Sequence, residues 1–397
     1  MQPASPVPWH GVEFFGEHRR LRGGRYALPR GGTMGARLTD RWPVKRMTMR
    51  ERMLAVVQRR PHDRVPFVMY SGQVPHEEAY ALVGRGNIGL LPWTGVVRME
   101  SPNCRIETEK LARGGLKGVR ATLHTPEGTL TQERFYTPAF GESAAPAPRK
   151  QFVTEPKDYR VLQAYFRDVQ VYPDYENLDK TLRDLGDAGI PHVAVGRTPY
   201  QALWVEWVLL EDLAYHLADA PGVVEETMAL MGDIIGRQCR IAAASVAPYV
   251  VFPDNITAPP IGVRNFEKHA VPYYNRLAAM LDGRPVYVHM DGDLKPLWDA
   301  IGRSGVRGLD SMSPPPDNDT CVADALRLWP EMRVAINFPS SVHLAAPRQV
   351  YGAACEILEQ GGRSGRLQIQ ISENMPPGAW RKSFPQIARA VEEFAAP

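Results

Sequence analysis

Short apolar runs that finish in polar or Gly/Pro-rich residues alternate along the chain with amphipathic stretches, and this alternation repeats. The stretch MTMRERMLAVVQRR carries an apolar stripe at helical spacing (Met49, Met53, Val56, Val57). Thr48 followed by Glu51 makes a capping box at its start. HDRVPFVMYSG then reads as a strand over residues 65–70, and NIGLLPW as a second. CRIETEKLARGGLKGVRATLHTPEGTLTQERFYT departs from the scheme. Its period-two alternation around the turn TPEG predicts a β-hairpin inserted near the N-terminal part, and GESAAPAPRK reads as a surface loop.

The later units are clearer. IPHVAVGRTP leads into QALWVEWVLLEDLAYHLAD, and YVVFPDNIT into FEKHAVPYYNRLAAML. VYVHMDG leads into a helix in which Leu294, Leu297, Trp298 and Ile301 share one face. VRGLDSMS, RVAINFPS and LQIQISENMP read as three further strands between helical stretches. The aromatic residues of QALWVEWVLL and PYYNRL read as helix core. About eight such units predict an α/β chain folded as a single (β/α)₈ TIM barrel. An open doubly wound sheet is the rival, but no Gly-rich phosphate fingerprint follows the first strand.

A length of 397 residues suits one barrel or two average domains. No apolar run approaches the roughly 18 residues of a membrane span. The N-terminus has no secretory apolar segment, so a cytoplasmic protein is expected. The net charge of +3 is unevenly spread, because residues 1–46 hold nine Lys/Arg against three Asp/Glu and the remainder 38 against 41. The body is mildly acidic, which speaks against nucleic-acid binding by field alone. Residues 1–46 lack any helical or strand period and read as a basic, disordered extension, or else as a targeting or RNA-contacting arm. Residues 47–397 form the barrel. The four cysteines (Cys104, Cys239, Cys321, Cys355) form no C-x-x-C pair and are expected as reduced thiols.

In a (β/α)₈ barrel the reactive groups sit at the C-terminal ends of the strands. In order these ends supply Ser71; Arg197 and Thr198; Asp254 and Asn255; His289, Asp291 and Asp293; Asp310 and Ser311; Asn337; and Ser372, Glu373 and Asn374. Strand spacing places His289 and Asp291 on one face with Tyr287, and Val286, Val288 and Met290 on the other. His289 and Asp291 therefore converge either on an ion or as an acid/base pair, whereas an isolated histidine would more simply be a core residue. Ser71, Arg197, Asp310 and Asn337 are expected to contact substrate. Asp254 and Asn255 either orient it or close an Asx turn. Asp293 stands just before a helix and reads as its N-cap. Glu373 is a loop acid or a third convergent carboxylate. The other histidines (His62, His76, His124, His192, His216, His269, His343) read as surface or capping residues.

MTMRERMLAVVQRRPHDRVPF resembles the opening of the uroporphyrinogen decarboxylase superfamily, and TPEGTL resembles that superfamily's hairpin. DNITAPPIGVRNFEKHAVPYYNRL and VYVHMDGDLKPLWDAIGRSGVRGLDSM are similar to its acidic strand end and its strand-end histidine segment. The resemblance runs over residues 47–395. It implies a (β/α)₈ barrel with a cleft at the strand C-termini. It also implies one of two chemistries, decarboxylation or methyl transfer between a corrinoid (cobalamin) protein and a thiol or folate acceptor. True decarboxylases carry an arginine-rich segment after the first strand. YSGQVPHEEAY has two glutamates and no arginine there, which turns the expectation to a methyltransferase.

The superfamily's thiol methyltransferases hold zinc with His-x-Cys and a distant Cys. His289 matches that histidine, while Asp291 and the final Ser-Glu-Asn replace the thiolates. His289, Asp291 and Glu373 are therefore expected to hold zinc or a harder metal, or His289 acts without metal as general acid or base with Asp291 orienting it. The alternatives are a carboxy-lyase acting on a smaller carboxylated substrate and a non-catalytic small-molecule-binding barrel.

Overall fold

The computed structural model describes residues 46–138, 146–371 and 375–395. The readings of residues 1–45 and of Ser372, Glu373 and Asn374 lie outside the described residues. Helix Met49–Gln58 begins with the expected capping box. Glu51 N–H donates to Thr48 Oγ1 at 3.2 Å, and Thr48 N–H donates to the Glu51 carboxylate at 2.7 Å. The helix leads into β1 (Phe67–Tyr70), followed by β2 (Gly89–Leu91), β3 (Trp93–Thr94) and β4 (Val97–Glu100). β5 (Arg105–Arg113), β6 (Leu116–Thr125), β7 (Gly128–Phe135) and β8 (Ala147–Lys150) form an antiparallel sheet. The inserted hairpin is thus larger than expected, and part of the presumed loop is its fourth strand. APRK shows no alternation of its own, so only pairing with β7 makes it a strand.

After β9 (Gln170–Pro173), which pairs antiparallel with β4, come β10 (His192–Val193), β11 (Val250–Phe252), β12 (Val286–Val288), β13 (Val306–Met312), β14 (Arg333–Phe338) and β15 (Leu367–Ile371). One seven-stranded parallel sheet runs in the order β11-β12-β13-β14-β15-β1-β2. β10 pairs parallel with β3, and single parallel bridges join Leu90 to Gly189 and Ala194 to Val251. Parallel neighbours need crossovers. Helices Ala258–His269, Val271–Met280, Val322–Leu328 and Pro347–Gly361 lie between successive strands and supply them.

The two faces of the sheet pack differently. Val286, Val288 and Met290 join the large apolar cluster, whereas Tyr287 joins a smaller one with Tyr70, Tyr249 and Val251. That is the period-two separation read from VYVHM. Gly308 makes room for the inner aromatic ring, since a Cβ there would lie 2.4 Å from Tyr287. Among the described residues no helix is long and apolar enough to cross a membrane.

Candidate functional site at the strand ends

His289 stands one residue beyond β12, with only 4% of its surface exposed. Its Nδ1 lies 2.7 Å from the Asp310 carbonyl oxygen and 2.9 Å from the Ser311 N–H. The peptide between residues 310 and 311 therefore offers an acceptor to a protonated Nδ1 and a donor to an unprotonated one. Either neutral tautomer finds a partner without moving the ring. Nε2 faces Asp291, 3.5 Å from Oδ2, and the Asp291 side chain is 33% exposed. Asn255 Nδ2 approaches the same oxygen at 3.4 Å. Burial pushes the Asp291 carboxyl up, but the charge and hydrogen bond of His289, together with Asn255, hold it below the usual carboxylate range.

A polar chain extends from this pair. Asn255 adopts a left-handed φ of 52°, which asparagine tolerates better than most residues. Its Oδ1 accepts from Arg197 Nη2 at 2.9 Å, and Arg197 Nη1 donates to Glu206 Oε1 at 2.7 Å. Glu206 comes from the π-helical turn Leu203–Trp207, in the stretch read as aromatic helix core. Burial raises its carboxyl above the ordinary range, with Arg197 opposing. A lone acid within LWVEW was the available signal, because a carboxylate is costly to bury without a partner.

Asp254 is fully buried. Its oxygens accept from Thr198 N–H at 2.7 Å, Thr198 Oγ1 at 3.0 Å and Tyr274 OH at 2.5 Å. These bonds tie the end of β11 to two helix segments. Burial raises the Asp254 carboxyl, while Tyr274 and Thr198 oppose the rise.

Beneath His289 lies a second group. Asp310 Oδ2 is 2.6 Å from His192 Nε2, Asp310 Oδ1 accepts from Gln370 Nε2 at 2.7 Å, and His192 Nδ1 is 2.7 Å from Tyr249 OH. Asn337 is 5% exposed and accepts from Ser311 Oγ at 2.6 Å. Ser71 is half-buried at the end of β1. Arg197, Asp254, Asn255, His289, Asp291, Asp310 and Asn337 thus form two linked polar groups, while Glu373 lies outside the described residues.

Some readings need correction. His192, His216 and His343 are buried rather than superficial. They are held by Asp310, by Tyr159 OH at 3.2 Å and by Ser383 Oγ at 2.7 Å respectively. Their partners are distant in sequence, so local pattern could not reveal them. Asp293 is not the helix cap. The Asp319 carboxylate accepts from Leu294 N–H at 2.8 Å and Lys295 N–H at 3.2 Å, while Asp293 Oδ1 accepts from Asp319 N–H at 3.1 Å. A residue from a later loop supplies the cap.

Two donors on a tetrahedral zinc, each about 2.1 Å from the ion, stand roughly 3.4 Å apart. The 3.5 Å between His289 Nε2 and Asp291 Oδ2 fits that spacing. A catalytic zinc takes three protein donors. Among the described residues no group of three His, Cys, Asp or Glu could hold an ion.

The class defined by these features is a parallel α/β protein with its polar groups gathered at the strand C-termini. Residues 209–369 match the family model of uroporphyrinogen decarboxylase (URO-D), and the resemblance read from the sequence is borne out. No curated protein matches the sequence. Among solved structures, a methyltransferase from Methanosarcina mazei is similar with a TM-score of 0.53 at 12% identity, covering 88% of this chain and 100% of that one. This likeness is one of fold. A B12-independent methionine synthase from a Shewanella species gives 0.40 at 9% identity over 74% of this chain and 75% of that one, too low to argue from.

Proposed function

We propose that the protein is a URO-D-superfamily methyltransferase that moves a methyl group between a corrinoid partner protein and a small-molecule acceptor at His289 and Asp291. In this reading the bridges at Leu90–Gly189 and Ala194–Val251 close the sheet into a (β/α)₈ barrel, and the pair stands in its mouth. The observation that carries the proposal is the setting of His289. Its ring is buried, one peptide serves either tautomer, and Nε2 is turned to a partly exposed carboxylate.

A thiol or folate N–H acceptor must lose a proton as its lone pair takes the methyl group. His289 Nε2 receives that proton, and Asp291 stabilises the imidazolium that results. Asn255, held by Arg197, keeps Asp291 in place. The corrinoid supplies the methyl group and keeps the electron pair of the broken bond. As the alternative to this metal-free route, we propose Glu373 as the third donor of a zinc or harder ion held with His289 and Asp291; His289 Nε2 would then be a ligand rather than the base, and the ion would act as a Lewis acid on the acceptor.

The fold likeness to a methyltransferase supports this reading. So do Glu77 and Glu78, exposed on the helix after β1 where decarboxylases carry arginines. The test is methylcobalamin mixed with the protein and thiol or folate acceptors, followed by its visible spectrum. Demethylation is expected, together with its loss in His289→Ala at unchanged circular dichroism. An unchanged spectrum with every acceptor, alongside carbon dioxide release from a carboxylated substrate, would overturn the proposal. Zinc content that falls in Glu373→Ala supports the three-donor site, and equal content in both proteins refutes it.

A further inference from the structure

A cleft of about 630 Å³ opens at the other end of the sheet from His289, where the strands begin. It lies between the segment entering β1 and the segment entering β15. Five arginines line it: Arg59, Arg60 and Arg64 on one side, Arg363 and Arg366 on the other. The acid in the lining is Asp63, and Arg52 takes both its oxygens, at 2.6 and 2.8 Å. Arg59 pairs with Glu331. The remaining four arginines have no ion pair among the described residues.

A purely structural explanation accounts for two of these four. Arg366 donates to the carbonyls of Trp329 at 2.9 Å, Met332 at 3.1 Å and Leu326 at 3.0 Å, and Arg64 donates to Gly86 O and Asn87 Oδ1. These acceptors are neutral. They fix the guanidinium planes, cancel no charge and leave other N–H donors unspent. Arg60 and Arg363 tie nothing together in this way, although the Arg363 guanidinium lies 5.2 Å from the centre of the Phe394 ring. Burial, then Arg52 and Arg46, push Arg64 down to about 10 against the opposing pull of Asp63 and Glu392, and burial, then Arg59, depress Arg366 against Glu331. An anion in the cleft would relieve that repulsion.

We infer that this cleft binds a small polyphosphate of the di- or triphosphate class, free or carried on a nucleoside. Guanidinium forks held in fixed planes match phosphate oxygens in bidentate fashion. Several arginines without an ion-pair contact among the described residues suit a multiply charged ion, and the volume suits a small ligand. Nucleic acid is disfavoured because the chain beyond residue 46 carries 38 basic against 41 acidic residues, which leaves no surplus for an extended track. The inference stands apart from the methyl-transfer proposal and uses none of its residues.

The test is calorimetric titration of the full chain with inorganic tripolyphosphate and with ATP, at low and raised salt. Saturable binding of one ion per chain is expected, and it should weaken as salt rises. The double variant Arg60→Glu/Arg363→Glu, altered at two exposed positions, should weaken binding about tenfold or more at an unchanged unfolding temperature. The corresponding double lysine variant should keep part of it. Equal affinity for the two ligands assigns recognition to the phosphates alone, and tighter ATP binding assigns it to a nucleoside-borne chain. Failure of both to bind saturably, or binding indifferent to the double glutamate variant, overturns the inference. So does RNA binding that strengthens with length and is not displaced by tripolyphosphate.

Discussion

Replacing His192 with alanine removes one partner of a pair in which both side chains are almost entirely shielded. Asp310 Oδ2 lies 2.6 Å from His192 Nε2, at 2% and 0% side-chain exposure. The substitution leaves that oxygen buried without its ion-pair partner and deprives Tyr249 OH of Nδ1. Breaking a buried pair by deleting one member costs about 3–5 kcal/mol. An exposed pair would cost at most about 1 kcal/mol. Asp310 keeps its bond from Gln370, which points to the lower end, about 3 kcal/mol. That is a large share of a typical stability of about 5–15 kcal/mol.

Urea unfolding followed by circular dichroism at neutral pH measures the loss. A cycle with Asp310→Asn should be non-additive, since the two residues share one interaction. The acid limb adds a second reading. Burial pushes the Asp310 carboxyl up, but His192, then His289 and Gln370, outweigh it and hold the group below the usual range. A carboxyl depressed on folding contributes stability that is fully present above the unfolded value near about 3.9, and this is lost as pH falls through the folded value. The gap between wild type and His192→Ala should therefore narrow below about pH 4. A variant within about 0.5 kcal/mol of wild type, or a strictly additive cycle, would refute the buried pair.

Tyr274→Phe removes a donor to the fully buried Asp254 and should cost about 1–3 kcal/mol, with the Asp254 carboxyl rising further; thermal unfolding that matches wild type would show that another group takes the donor's place. Gly308→Ala sets a methyl group 2.4 Å from the Tyr287 ring and should cost about 1–3 kcal/mol by overpacking. Adding Tyr287→Leu to that variant should restore part of the loss, and no restoration would place the strain elsewhere.

The N-cap at Thr48, the parallel strand–helix alternation and the two-sided pattern of VYVHM were legible because each is a local periodicity. Hydrogen bonding within one turn, or alternation along one strand, is set by neighbours in the chain. That the His289 and Asp291 side chains lie on one side, 3.5 Å apart, was legible for the same reason, since residues two apart on an extended segment share a face.

What the sequence left open depends on where separate elements land. His192 reads as a surface or capping histidine until β13 brings Asp310 to it, and Glu206 lies in a stretch that reads as aromatic helix core until Arg197 reaches it. Asp293 had the position of a cap, but Asp319 had the geometry. APRK became a strand only because β7 offered an edge. The chain therefore determined its elements and the faces they bury. Which buried charge meets which partner was decided by the tertiary packing, because a lone charge is costly inside a protein and only contacts between distant segments offset that cost.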